Sequence, residues 1–154
     1  MRREIVAAFA VVLSGANAFA ADTNGAAALA LAGVVGAQDP SLSASARHRL
    51  ARLFDGHLAG GGPISVRAAS IQCRFSDVAI ETRSCALVFG AHHRALTGRS
   101  ANELFATMAG AGVPGDGAAG SIFESLTKLD CVVTPAQIAA QDGSGAKCAY
   151  AAGP

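Results

Sequence analysis

The chain has 154 residues, 51% of them hydrophobic, with four cysteines, no tryptophan and a net charge of +1 at pH 7. Twelve basic residues against eleven acidic ones leave no basic footprint of the kind that holds phosphate backbones, which argues against nucleic acid as a partner. The length suits one domain, and with seven Phe and one Tyr its core is expected to be built mainly from small aliphatic side chains.

Residues 1–20, MRREIVAAFAVVLSGANAFA, start with Arg2 and Arg3, continue through an apolar run from Ile5 to Leu13 and end on Ala18-Phe19-Ala20. That order of basic start, short apolar stretch and small-residue cleavage site predicts a secretory signal peptide cut after Ala20. The run is shorter than the roughly 20 residues a membrane-spanning helix needs, and no cysteine follows the cut for lipid attachment. Residues 21–154 are therefore expected as one soluble domain in a periplasm or outside the cell, without stable membrane insertion. Loss of Arg2, Arg3 and Glu4 makes that domain formally neutral, with ten basic and ten acidic residues.

Residues 21–62 read as mainly helical. AAALALAGVVGA, Ala26 to Ala37, is apolar and rich in good helix formers, yet twelve residues span only about 18 Å as a helix, too little for a bilayer. A second helix is expected from Asp39 as N-cap and Pro40 at the first helical position, running through SLSASARHRLARLF. Leu42, Ala46, Leu50 and Leu53 recur at spacings of three and four and give it one stripe for the core. Gly56 and the run Gly60-Gly61-Gly62-Pro63 are expected to end it.

Residues 63–154 mix strands and helices. ISVRAASIQCRF sets Ile64, Val66 and Ala68 on one face, and RSCALVFG sets Cys85, Leu87 and Phe89 on one face, so both read as strands. Ala91, His92 and His93 read as a turn into a short strand, RALTG. Three helix starts carrying the capping box S/T-x-x-E/Q follow, namely Ser100 with Glu103, Ser121 with Glu124, and Thr134 with Gln137, the last with Pro135 behind its cap. DCVVT and KCAY read as the two remaining strands. The expected fold class is α+β, with helices packed on one face of an antiparallel sheet.

Four cysteines in an exported chain predict two disulfides. Sequence alone allows three connectivities, and hairpin geometry favours one of them. With a turn centred near Ala79, Cys73 and Cys85 lie equally far from it and face each other across the ladder, which leaves Cys131 to pair with Cys148. No C-x-x-C spacing supports a redox or metal site for these residues.

The stretch GDGAAGS, residues 115–121, repeats the G-x-G-x-x-G order of a dinucleotide fingerprint. A fingerprint needs a buried strand leading into its first glycine, and here a helix and the turn Val113-Pro114 precede it, so no cofactor is expected. The amides opening the expected Ser121 helix leave room for a weak anion contact. His92-His93-Arg94 is the densest polar cluster, but neighbouring histidines on a strand point to opposite faces and make a poor pair of metal ligands, even with Asp55 and His57 as distant help. His48, between Arg47 and Arg49, reads as a solvated helix residue, and Asp77 with Glu81 as solvated loop charges. There is no G-x-S-x-G elbow.

No catalytic, cofactor or metal residue is therefore assigned. The expected function is that of a binding protein displaying stapled loops, residues 74–84 and 132–147, to a protein or envelope component, in the manner of an inhibitor or immunity factor. The alternatives are a small hydrolase using His92 or His93 as base, and a small-molecule carrier, which would need an apolar cavity.

Overall fold

The computed structural model of the chain describes residues 21–53, 61–74, 83–113 and 122–152. In chain order they form β1 (Ala21–Asn24), α1 (Gly25–Gly36), α2 (Ala44–Ala51), β2 (Ile64–Ala68), β3 (Ser70–Arg74), β4 (Ser84–Phe89), β5 (His92–Thr97), α3 (Gly98–Gly110), β6 (Ile122–Val133), α4 (Pro135–Ala140) and β7 (Lys147–Ala152). The strands make one antiparallel sheet in the order β1-β7-β6-β3-β4-β5, with β2 also paired to β6.

β2 and β3 act as one long strand along β6. Ile64 lies opposite Val133, Ala68 opposite Leu129, and Ile71 opposite Leu126 in an unbroken register. The break is at Ala69, whose amide turns away to Val88 O at 2.8 Å. Buried positions slip there from Ile64, Val66 and Ala68 to Ile71 and Cys73, so both segments still present their apolar side chains to one layer. β4 and β5 are joined by the two-residue loop Gly90-Ala91, and Gly90, at φ +57, takes the first loop position that such a turn reserves for glycine.

The helices cover one face, as expected for the α+β class. α1 is apolar on every side and packs against β2, β6 and β7 beneath it and against α2 and α3 beside it, which is where a helix without a polar face is stable. It comes so close to the sheet that a side chain at Gly36 would overlap Leu50 and Val66. Leu104 and Met108 of α3 and Leu50 and Leu53 at the end of α2 complete the layer, with Leu42 and Ala46 half-buried on the stripe read from the sequence. Each such leucine removed from water contributes about 1.5–3 kcal/mol.

Local signals agree with the structure unevenly. The box at Thr134 forms in full, with Gln137 N donating to Thr134 Oγ1 and Thr134 N donating to Gln137 Oε1 at 3.0 Å, and Pro135 at the first position. α2 begins four residues later than expected, because Ser43 accepts from Ala46 N as the N-cap while the Asp39 carboxylate is taken up by Ser41. It ends at Ala51, short of Gly56, which lies outside the described residues. His92 and His93 belong to β5 rather than to the turn. α3 starts at Gly98 with Thr97 as a cap that makes no side-chain bond, so Ser100 sits inside its first turn.

The largest correction concerns the second box. Residues from Ile122 onward form the 12-residue strand β6 instead of a helix. Partners on both sides, β3 with β2 and then β7, outweigh the local helix signal, since propensity is a weak prior beside tertiary pairing. The Ser121 helix start is thereby lost, and with it the expected anion contact; GDGAAGS itself lies outside the described residues. β1 is an addition that ADTN gives no local reason to expect, made by pairing Thr23 with Cys148.

Candidate functional site

The four cysteines lie on the covered face. Cys73 is bonded to Cys85 and Cys131 to Cys148, the pairs that the hairpin geometry singles out, and every one of these residues is buried. Each pair stands directly across an antiparallel ladder with Cα atoms 4.1 and 4.3 Å apart, the close spacing of positions that do not exchange backbone hydrogen bonds. Cys85 Sγ packs 3.5 Å from Ala101 O of α3, and Cys148 Sγ 3.3 Å from Ala28 O of α1. A disulfide sulfur carries no proton, so these are packing contacts that seat the helices on the stapled strands.

The histidines are dispersed. His48 is exposed on α2, and His92, His93 and Arg94 are exposed along β5, with His93 on the uncovered side of the sheet and its two neighbours on the other. Asp55, His57, Asp77 and Glu81 lie outside the described residues. Among the described residues no group of three His, Cys, Asp or Glu stands close enough to hold a metal ion.

One polar cleft joins residues that the sequence keeps far apart. It encloses about 460 Å³ where the connection from α1 to α2 meets β2 and the β4–β5 turn, and it is lined by Asp39, Ser41, Ser65, Arg67 and His92 over an apolar wall of Leu42 and Phe89. Asp39 is only 3% exposed. Its Oδ1 accepts from Ser41 N at 2.8 Å and from Ser41 Oγ at 2.7 Å, a local turn in which the carboxylate organises the two residues after it. The Asp-Pro-Ser order was a legible signal for that turn; its meeting with His92 was not. Chemically the cleft offers a carboxylate, two hydroxyls, an imidazole and a guanidinium. The Ser41 proton, however, is committed to Asp39, whereas a nucleophilic serine gives its proton to an imidazole.

Two other surfaces frame it. A groove of about 290 Å³ between α1, the end of α2 and α3 is lined by Gly33, Val34, Leu50 and Leu53 with Glu103 and Thr107 at its rim. It opens on the surface and is smaller than the 300–1,000 Å³ common for ligand pockets. The uncovered face of the sheet carries small and charged side chains, among them Ser65, Ala86, Ala149 and the cross-strand ion pair of Arg67 with Asp130 at 3.3 Å. Lys147 pairs with Asp22 at 2.6 Å beside Val132, a large hydrophobic residue 47% exposed in the middle of this face. In the turn before β7, hydrogen bonds from Ser144 hold the Asp142 carboxyl below the ordinary aspartate range.

No described helix is long and apolar enough to cross a membrane. Two buried disulfides with no free cysteine fit a chain that folds in an oxidising compartment. No family model matches this chain, and neither a curated protein nor a solved structure matches it.

Proposed function

We propose that this protein is an exported, disulfide-stapled binding protein of the inhibitor or immunity kind, with a protein or envelope component as its partner. The uncovered sheet face carries this reading. It presents Ser65, Arg67, Ala86, Lys128, Asp130, Val132, Lys147 and Ala149 on rigid strands whose opposite face is fastened by both disulfides and three helices. A surface held in one conformation loses little entropy on association, and its mixture of small, charged and one apolar residue resembles an interface rim more than a catalytic pocket. Export is in keeping with the disulfides, and cleavage after Ala20 would leave β1, which starts at Ala21, whole.

A hydrolase using His92 as base is the second reading, favoured by the cleft that brings His92 together with Asp39, Ser41 and Ser65. Its weakness is the Ser41-to-Asp39 hydrogen bond, which points the hydroxyl proton away from the base. Native mass spectrometry of the protein purified gently from its host envelope separates the two. A protein-sized adduct is expected, on a chain whose denatured mass matches residues 21–154 less four hydrogens. A bare monomer that turns over a chromogenic ester, with turnover lost in His92→Ala, would overturn the binding reading.

A further inference from the structure

Among the described residues the edge of the sheet at β5 is unpaired, and its polarity follows from the disulfide beside it. Cys73 and Cys85 stand at a position of β3 and β4 that exchanges no backbone hydrogen bonds, so the amide and carbonyl of Cys85 point the other way, toward Leu96 of β5. Alternation along β5 then aims the N–H and C=O groups of His92, Arg94 and Leu96 at β4. The same alternation aims those of His93, Ala95 and Thr97 outward. Two bonds on the inner side agree with this parity: Gly98 N donates to Arg83 O at 3.1 Å, and Ala69 N reaches Val88 O on the opposite side of β4. Among the described residues β5 pairs with β4 alone, and His93 and Ala95 have no backbone partner, nor does the Thr97 N–H; the Thr97 carbonyl, at the N-cap of α3, belongs to the first turn of that helix.

An unpaired edge is a template for another strand, and proteins usually close it with proline, a bulge or lysine. β5 has none of these. Its ionisable side chains are instead all of basic type, Arg94 beside His92 and His93. From Arg83 to Asn102 the sequence holds Arg83, His92, His93, Arg94 and Arg99 and no acidic residue, in a chain that is otherwise nearly balanced. His92, His93, Arg94 and Arg99 are exposed, on both sides of the strand. The opposite edge, β1, is four residues long and pairs its own acid, Asp22, with Lys147, so it has no such bias.

We infer that β5 is a strand-addition site for an extended acidic peptide segment of a partner protein, bonded through the outward N–H and C=O groups of His93 and Ala95 and the N–H of Thr97, and selected by His92, His93 and Arg94. Main-chain bonds to three alternate residues supply affinity without reading sequence, and the basic side chains on either side of the strand supply selectivity for carboxylates. This rests on the binding reading and names the chemistry of its partner.

The test is an amide-exchange and chemical-shift titration of the ¹⁵N-labelled exported protein. One probe is an acetylated, amidated hexapeptide of alternating valine and glutamate; the other is its valine–lysine counterpart. The acidic peptide is expected to bind at least tenfold more tightly at low salt, with the difference shrinking as salt is added. The amides of His93, Ala95 and Thr97 should become protected, while those of Arg94 and Leu96, already bonded to β4, are protected with or without peptide. Ala95→Pro removes an outward N–H at an edge position that tolerates proline and should abolish the protection. Arg94→Glu, which leaves the backbone unchanged, should reverse the preference toward the lysine peptide.

Equal binding of both peptides, or shifts without the alternate protection, would overturn the proposal. So would protection of the same three amides in the peptide-free protein together with a dimer in sedimentation, since a second copy would then own the edge. If neither peptide binds while a photo-crosslinker at Val132 captures a partner in the exporting host, this edge proposal fails and the binding reading stands.

Discussion

The two faces of the sheet are written by the same strands in alternate residues, and they differ in almost every physical respect. Along β4, Cys85, Leu87 and Phe89 are buried on the covered side, whereas Ser84 and Ala86 are exposed. Along β2, Ile64, Val66 and Ala68 are buried and Ser65 and Arg67 exposed. Stability in this molecule is concentrated on the covered side, where packing is dense and both disulfides sit. The open side takes no part in that packing, and its side chains are free of the core's constraints.

Substitutions on neighbouring residues measure that asymmetry. Leu87→Ala, in the fully buried layer, is expected to cost about 2–5 kcal/mol in urea unfolding, whereas Ala86→Ser next to it should stay within about 0.5 kcal/mol. Comparable losses at the two positions would mean that something covers the open face. Replacing Cys131 and Cys148 together by serine should cost about 3 kcal/mol on the chain-entropy model for a separation of 17 residues, read as a lower urea midpoint than that of the oxidised protein. On the open face, Arg67→Ala removes a mostly exposed ion pair with Asp130 and should cost about 0.2–1 kcal/mol, less at high salt.

The smallest effect is one of pH. Hydrogen bonds from Ser144 N and the Ser144 side chain lower the folded-state pKa of Asp142, so the associated stabilisation is present above the unfolded aspartate value and is lost as pH falls through the lower folded value. A carboxyl-carbon NMR titration should find the Asp142 midpoint below that of an unstructured aspartate, and Ser144→Ala should raise it only in part, because the larger contribution, from the Ser144 N–H, remains.

Legibility in the sequence followed the range of the forces involved. The Cys73–Cys85 hairpin could be placed because alternation and cysteine spacing are local, and the Thr134 helix because cap, box and proline agree within four residues. The box at Ser121 carried similar lettering and misled, because β6 is set by Ile71, Val66 and Cys148, which lie far from it in the chain. β1 was invisible for the same reason: Ala21–Asn24 has weak strand propensity and becomes a strand by lying beside β7. The cleft was half legible. Asp39 reads as a cap and His92 as part of a polar cluster, but the approach of the α1–α2 connection to the β4–β5 turn is a property of the assembled sheet.

The register that β2 and β3 share along β6, continuous from Ile64 to Cys73, bears on how the molecule assembles. β3, β4 and β5 form through short connections, and β6 with β7 through the brief α4 segment, so each group can reach its own pairing, and its own oxidation, early. The seam that joins them sets Ile64 opposite Val133 and Ile71 opposite Leu126, contacts that close long stretches of chain before any bond rewards them. Docking of two preformed, already oxidised halves along this seam is therefore the expected slow step. Refolding of the oxidised protein should accordingly outpace that of the reduced one, because oxidation removes the local part of the search and leaves only the long-range part.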